Sequence, residues 1–124
     1  MLDASVLVSV ARNDKAATSF AEYAKRSGVA LHTTAPVVSQ VWRNPRQVLL
    51  ARFLKGLNVH DYYAASMRPV GELMASTGTS DVVDAHLVIT AHWLGLDVLT
   101  GDPKDISTLA GALTDSAPAV RSWP

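Results

Sequence analysis

The chemistry this sequence can do rests on four aspartates: Asp3, Asp81, Asp84 and Asp102. Asp3 follows the first apolar residues, where an opening strand would end. Asp102 comes just after Leu96–Thr100, which reads as a strand, and just before a helix started by Pro103. Asp81 and Asp84 stand three apart in the first turn of a helix, so they share a face. All four then look to one end of a sheet. Grouped carboxylates repel and raise one another's pKa values unless a cation offsets them. A hard divalent ion takes a few carboxylate oxygens and keeps several waters. Taken singly, each acid also makes a good helix cap or a first-turn acid favoured by the helix dipole. Only their joint placement argues for a metal site.

The elements that must position these acids alternate along the chain. Val6, Leu7 and Val10 suggest a short helix after Met1–Ser5. Asn13 or Asp14 can cap a second, in which Ala17, Phe20, Ala21 and Ala24 recur at helical spacing until Gly28. Val29–Thr34 reads as a strand, and Pro36 suits the first turn of a helix carrying Val37, Val38, Val41 and Trp42. Pro45 opens another helix that stops at Gly56. Leu57–His60 is a weak strand, and Asp61 caps a helix running to about Thr77. Thr79 or Ser80 caps the clearest helix, Asp81–Leu94, which ends at Gly95. After Leu96–Thr100 and the Pro103 helix, Ala119–Ser122 reads as a last strand. Such alternation predicts a parallel sheet with helices on both faces, and ligands in such sheets gather beyond the carboxyl ends of the strands.

Whole-chain properties set limits. The 124 residues make one domain, 1–124, and 48% hydrophobic residues suffice for a core. Eleven basic and eleven acidic residues cancel, so charge alone does not argue for nucleic acid. The absence of cysteine excludes disulfides and thiolate metal sites. No apolar run approaches the roughly 20 residues that span a bilayer, and no signal-peptide pattern opens the chain. The expectation is a cytoplasmic protein with no membrane partner.

Several segments resemble PIN-domain proteins, in the family's order. "LDASVLVSVAR" at Leu2–Arg12 is similar to the opening in which an Asp ends strand one and a small hydroxyl residue follows. "TTAPVVSQVWR" at Thr33–Arg43 stands where the family has its second acid. "TSDVVDAHLVITAHWLG" at Thr79–Gly95 resembles the helix carrying the third acid, and "VLTGDPKDISTLA" at Val98–Ala110 the closing motif. The ordered set is closest to the VapC-type toxins of bacterial toxin–antitoxin pairs. The resemblance implies a three-layer α/β/α fold with a central parallel sheet of four to five strands. It also implies a Mg2+- or Mn2+-dependent endoribonuclease, a cognate VapB-type antitoxin and a homodimer. Asp3, Asp84 and Asp102 match the family's catalytic and metal-binding acids. Asp81 and Asp105 match extra acids found in part of it, and Ser5 and Thr100 would be hydroxyl partners of the carboxylates or waters.

Two departures stand out. The second acidic position is Gln40, which can coordinate through its amide oxygen but brings no charge. Only Met1 and Leu2 precede Asp3, so strand one is short or the start is clipped. The first departure raises an alternative: a PIN module that binds RNA or its antitoxin without cutting. An aspartate-based phosphotransfer domain fits less well, because Asp3 lacks a second Asp two residues on and no lysine is placed as receivers require. His32, His60, His86 and His92 show no metal-ligand spacing and read as surface or satisfied histidines. Trp42 and Trp93 read as core or interface aromatics. Arg43 and Arg46 read as a solvated loop able to contact phosphate.

Overall fold

Side-chain caps set most of the helix starts in the computed structural model, which describes residues 1–124. Asp3 accepts the Ser5 N–H and opens α1 (Ala4–Ala11), and Asp14 accepts the Ala17 N–H and opens α2 (Lys15–Ser27). Strand β1 (His32–Thr34) leads directly into α3 (Ala35–Val41), whose cap is the Thr34 hydroxyl. Then come α4 (Val48–Leu54), β2 (Asn58–His60), a 3-10 turn at Ala64–Ser66 and α5 (Met67–Thr77). The order closes with α6 (Val82–Leu94), β3 (Val98–Thr100), α7 (Pro103–Gly111) and β4 (Val120–Ser122). Gly28, Gly78 and Gly95 end α2, α5 and α6 in the left-handed conformation that a side chain would disfavour.

Three sequence-based element boundaries move. Pro45 does not open a helix. The Gln47 side chain accepts the Arg43 and Asn44 N–H groups, and Asn44 accepts that of Arg46. The segment therefore satisfies itself as a turn, and α4 starts only at Val48. Asp61 caps nothing, since α5 is entered through the 3-10 turn. The cap of α6 is Asp81, with Thr79 accepting the Asp81 N–H one step earlier.

The fold is mixed α/β with parallel strands. β1 pairs with β2 and β3 with β4, both parallel. Between the pairs lies Met1–Asp3. Leu2 bridges Leu99 in parallel fashion and donates its N–H to His32, so the spatial order is β2, β1, Met1–Asp3, β3, β4. The expected sheet of four to five strands is thus two pairs joined through a segment too short to form its own ladder. Parallel crossovers are right-handed in about 98% of cases. Moving outward to β1 and β2 therefore lays α1–α4 on one face, and returning to β3 and β4 lays α5–α7 on the other. In the packing α1 meets α2, α3 and α4, and α5, α6 and α7 meet one another, while α6 also touches α3.

The core runs through α6. Its residues Ala85–Ala91 are all buried, the mark of a helix enclosed on every side. Leu87 and Val88 join Leu7, Val37, Leu50 and Val70 in one cluster. Each such side chain contributes about 1.5–3 kcal/mol through burial. Trp42 packs against this cluster, whereas Trp93, near the end of α6, is 53% exposed and belongs to no core.

Candidate functional site

The strand order reverses between Met1–Asp3 and β3, and there the carboxyl ends of two neighbouring strands present Asp3 and the Thr100–Asp102 turn. Crevices at such switch points are where open α/β sheets bind ligands. Asp3 is buried and held from two sides. Its Oδ1 accepts the Ser5 N–H at 2.9 Å, and its Oδ2 accepts the Thr100 hydroxyl. That same hydroxyl oxygen accepts the Asp102 N–H at 2.9 Å. The Ser5 hydroxyl serves no carboxylate; it accepts the Gly101 N–H at 3.1 Å.

The N-terminus of α6 brings the next two acids. Asp81 accepts the Asp84 N–H at 3.0 Å, so the first turn is rigid. Asp84 is half-buried, and its carboxyl is pushed up to about 7. Burial is the main cause, followed by the charge of Asp81 and a side-chain hydrogen bond to it, and then the charges of Asp3 and Asp102. Three acids from three segments thus act on one group. Asp105, exposed on α7, hydrogen bonds with Asp102 and is raised mainly for that reason. A polar cleft of about 520 Å³ opens beside them, lined by Asp81, Asp84 and Asp105 with Thr79, Ser80 and Thr108.

As the side chains stand, no three acids or histidines converge closely enough to grip a metal ion directly. The donor set nonetheless suits a hard cation. It consists of carboxylates and hydroxyls only, and the Asp84 carboxyl is raised by burial first and by the charges of Asp81, Asp3 and Asp102 after it. Magnesium, which retains much of its water shell, needs only one or two direct carboxylates. Gln40 is exposed near the end of α3 and makes no side-chain hydrogen bond to the acids. Arg43 donates to the Ser39 and Trp42 carbonyls, which closes the end of α3.

The histidines differ from their sequence reading. His86 is wholly buried, yet neither ring nitrogen has a hydrogen-bond partner. Its ring lies 4.6 Å from Tyr62, and burial holds its pKa below the usual histidine value. His32 Nδ1 and His60 Nε2 are 2.9 Å apart with ring planes 9° from parallel. The 5.2 Å centroid separation exceeds that nitrogen distance by about two ring radii, so the rings meet end to end through one shared proton. Elsewhere, an apolar groove of about 640 Å³ runs between α2 and α4, with Ala17, Val29, Leu49, Phe53 and Leu57 in its walls. None of the four aspartates lines it.

No protein-family model matches this sequence, and no curated protein does. Among solved structures, the chain is similar to one in the crystal structure of VapBC2 from Rickettsia felis bound to a DNA fragment from its promoter. The superposition has a TM-score of 0.74 at 16% identity and covers 100% of this chain and 98% of that chain. The shared property at that identity is the fold: this chain has the architecture of a chain from a VapBC toxin–antitoxin complex.

Proposed function

We propose that this protein is a metal-dependent endoribonuclease, the toxin half of a VapBC-type toxin–antitoxin pair. One observation carries the reading: Asp3, Asp81, Asp84 and Asp102 gather at the switch point of a parallel sheet, where burial first and the neighbouring acids second raise Asp84 to about 7. The structural likeness to a VapBC chain and the order of PIN-like motifs support it.

In this reading Asp3, Asp84 and Asp102 would hold a largely hydrated Mg2+ or Mn2+, in part through its waters, with Asp81 and Asp105 contributing charge. The ion supplies Lewis acidity, lowering the pKa of a water and offsetting charge on the phosphoryl oxygens. The protein's own part is orientation. Ser5 N–H and the Thr100 hydroxyl fix the Asp3 carboxylate, so its oxygens need no reorganisation on binding. Asp81 fixes the first turn of α6 and with it Asp84. The polar cleft beside Asp84 receives the RNA strand. A VapB-type antitoxin segment covers the apolar groove, and first-half helices form a homodimer. The RNA substrate assigns the protein to the cytoplasm.

The test is RNA cleavage by the purified, antitoxin-free protein across a Mn2+ titration, with Asp84→Asn as control. Cleavage that rises with Mn2+ and is lost in the variant supports the proposal. A second reading draws on the exposed Gln40 and the absence of three converging acids: a module that binds RNA or antitoxin without cutting. RNA binding without cleavage at any Mn2+ concentration would select it.

A further inference from the structure

Gly101 sits between the hydroxyl of Thr100 and the acid Asp102, and backbone geometry does not explain it. Its φ is not among the positive values that call for glycine. Space explains it instead. A Cβ at position 101 would stand 2.8 Å from both the Cβ and the Oγ of Ser5. The Ser5 Cβ belongs to the first turn of α1 and cannot swing aside like the tip of a long side chain. The missing side chain lets the Gly101 N–H reach the Ser5 hydroxyl at 3.1 Å.

This contact closes a ring of hydrogen bonds around two acids. Thr100 donates to Asp3 and accepts from the Asp102 N–H, Ser5 N–H donates to Asp3, and Gly101 N–H donates to Ser5. Asp3 and Asp102 repel each other, so their spacing must be enforced by neutral groups around them. We propose that Gly101, through its close approach to Ser5, is a positioning residue that fixes Asp102 relative to Asp3 for cation binding. The proposal rests on the metal-binding reading above.

The experiment combines Gly101→Ala, Ser5→Gly and the double variant in the full chain. Metal-free thermal stability in chelator and the Mn2+ midpoint by titration calorimetry are measured for each. The clash predicts that Gly101→Ala lowers the melting temperature and weakens Mn2+ binding about tenfold or more. In the Ser5→Gly background, which removes both clashing atoms, the same substitution should change neither quantity. The double variant should then bind Mn2+ more tightly than Gly101→Ala. That comparison also serves if Gly101→Ala alone does not fold. Equal damage from Gly101→Ala in both backgrounds, metal-free, overturns the proposal. So does recovered stability without recovered Mn2+ affinity, which would make the contact purely structural. A parent chain that binds no Mn2+ while positions 5 and 101 remain coupled in chelator brings down the metal reading, and the positioning role with it. The intact coupling then identifies the site, not the spacing, as the point of failure.

Discussion

The two ends of the chain's helical material differ in what they leave uncovered. Helix α6 is enclosed from Ala85 to Ala91 and is open only at its ends, the acidic first turn and the turn that carries Trp93. Helix α2 buries Ala17 and Ala24, while beside it an apolar groove stays open against Leu49 and Phe53 of α4. Leu49 is 39% exposed and Val48 57%. Charge that must be held at fixed spacing is mounted on the most enclosed element. Open apolar surface lies on less enclosed ones. An acid needs a rigid support to oppose its neighbours' repulsion, whereas a docking face gains when a partner completes it.

The largest effect that could break this comparison is chemical. Asp84→Asn should reduce Mn2+-dependent RNA cleavage by more than about 100-fold, because even groups outside the direct coordination shell of a metal cost 10–100-fold when removed. Unchanged cleavage would show that α6 is rigid for some other reason.

Next in size is packing. Leu87→Ala in α6 should cost about 2–5 kcal/mol in urea unfolding, as truncations at fully buried leucines do. Leu49→Ala in the groove should cost no more than about 0.5 kcal/mol, like other surface changes. Similar values at the two sites would mean that the groove is part of the core.

A smaller effect sharpens the comparison, since the acidic turn should cost stability in the metal-free protein. The Asp84 carboxyl, raised to about 7 from 3.8, keeps a proton in the folded state that the unfolded chain has released. Stability therefore falls as pH rises through that window and stays lower above it. Asp84→Asn should accordingly raise the melting temperature in chelator at pH 8 by a few degrees, on the scale of about 1 kcal/mol, while removing stabilisation by Mn2+. A lower melting temperature would contradict the repulsion argument.

The smallest concerns His86, whose pKa is lowered by burial. The unfolded chain takes up a proton that the folded chain refuses, so this group costs stability as pH falls through its ordinary value near 6.5. His86→Phe should flatten the acid limb of the stability profile between pH 7 and 5, followed by circular dichroism. An unaltered limb would assign the acid sensitivity to His32, whose pKa is also lowered by burial.

Much of this was legible in the residues. Alternating elements gave the α/β class, and glycines at 28 and 95 marked true helix ends. Acid spacing brought Asp81 and Asp84 onto one turn, where Asp81 accepts the Asp84 N–H. What could not be read depended on contacts distant in sequence or on competition for the same donor. Pro45 had the right residue type for a helix start, but Gln47 took the backbone donors first. His86 gave no sign of burial because its neighbours Tyr62 and His60 come from another segment. The groove was invisible because α2 and α4 meet only after folding. Nothing in the sequence singled out Gly101, because Ser5, which occupies the volume its side chain would need, is 96 residues away.

One feature near the far end bears on how the protein is made. Trp123 donates its backbone N–H to the Thr100 carbonyl at 2.7 Å and its ring N–H to the Ser9 hydroxyl at 2.9 Å, and its ring meets Phe20 edge-on. Thr100 is thus caught between Asp3 and Trp123, which is made 120 residues after Asp3. A nascent chain still held in the ribosome tunnel cannot join these pieces. The acidic pocket should therefore stay unassembled until Trp123 emerges, and then form at the slow pace typical of contacts so widely separated in sequence.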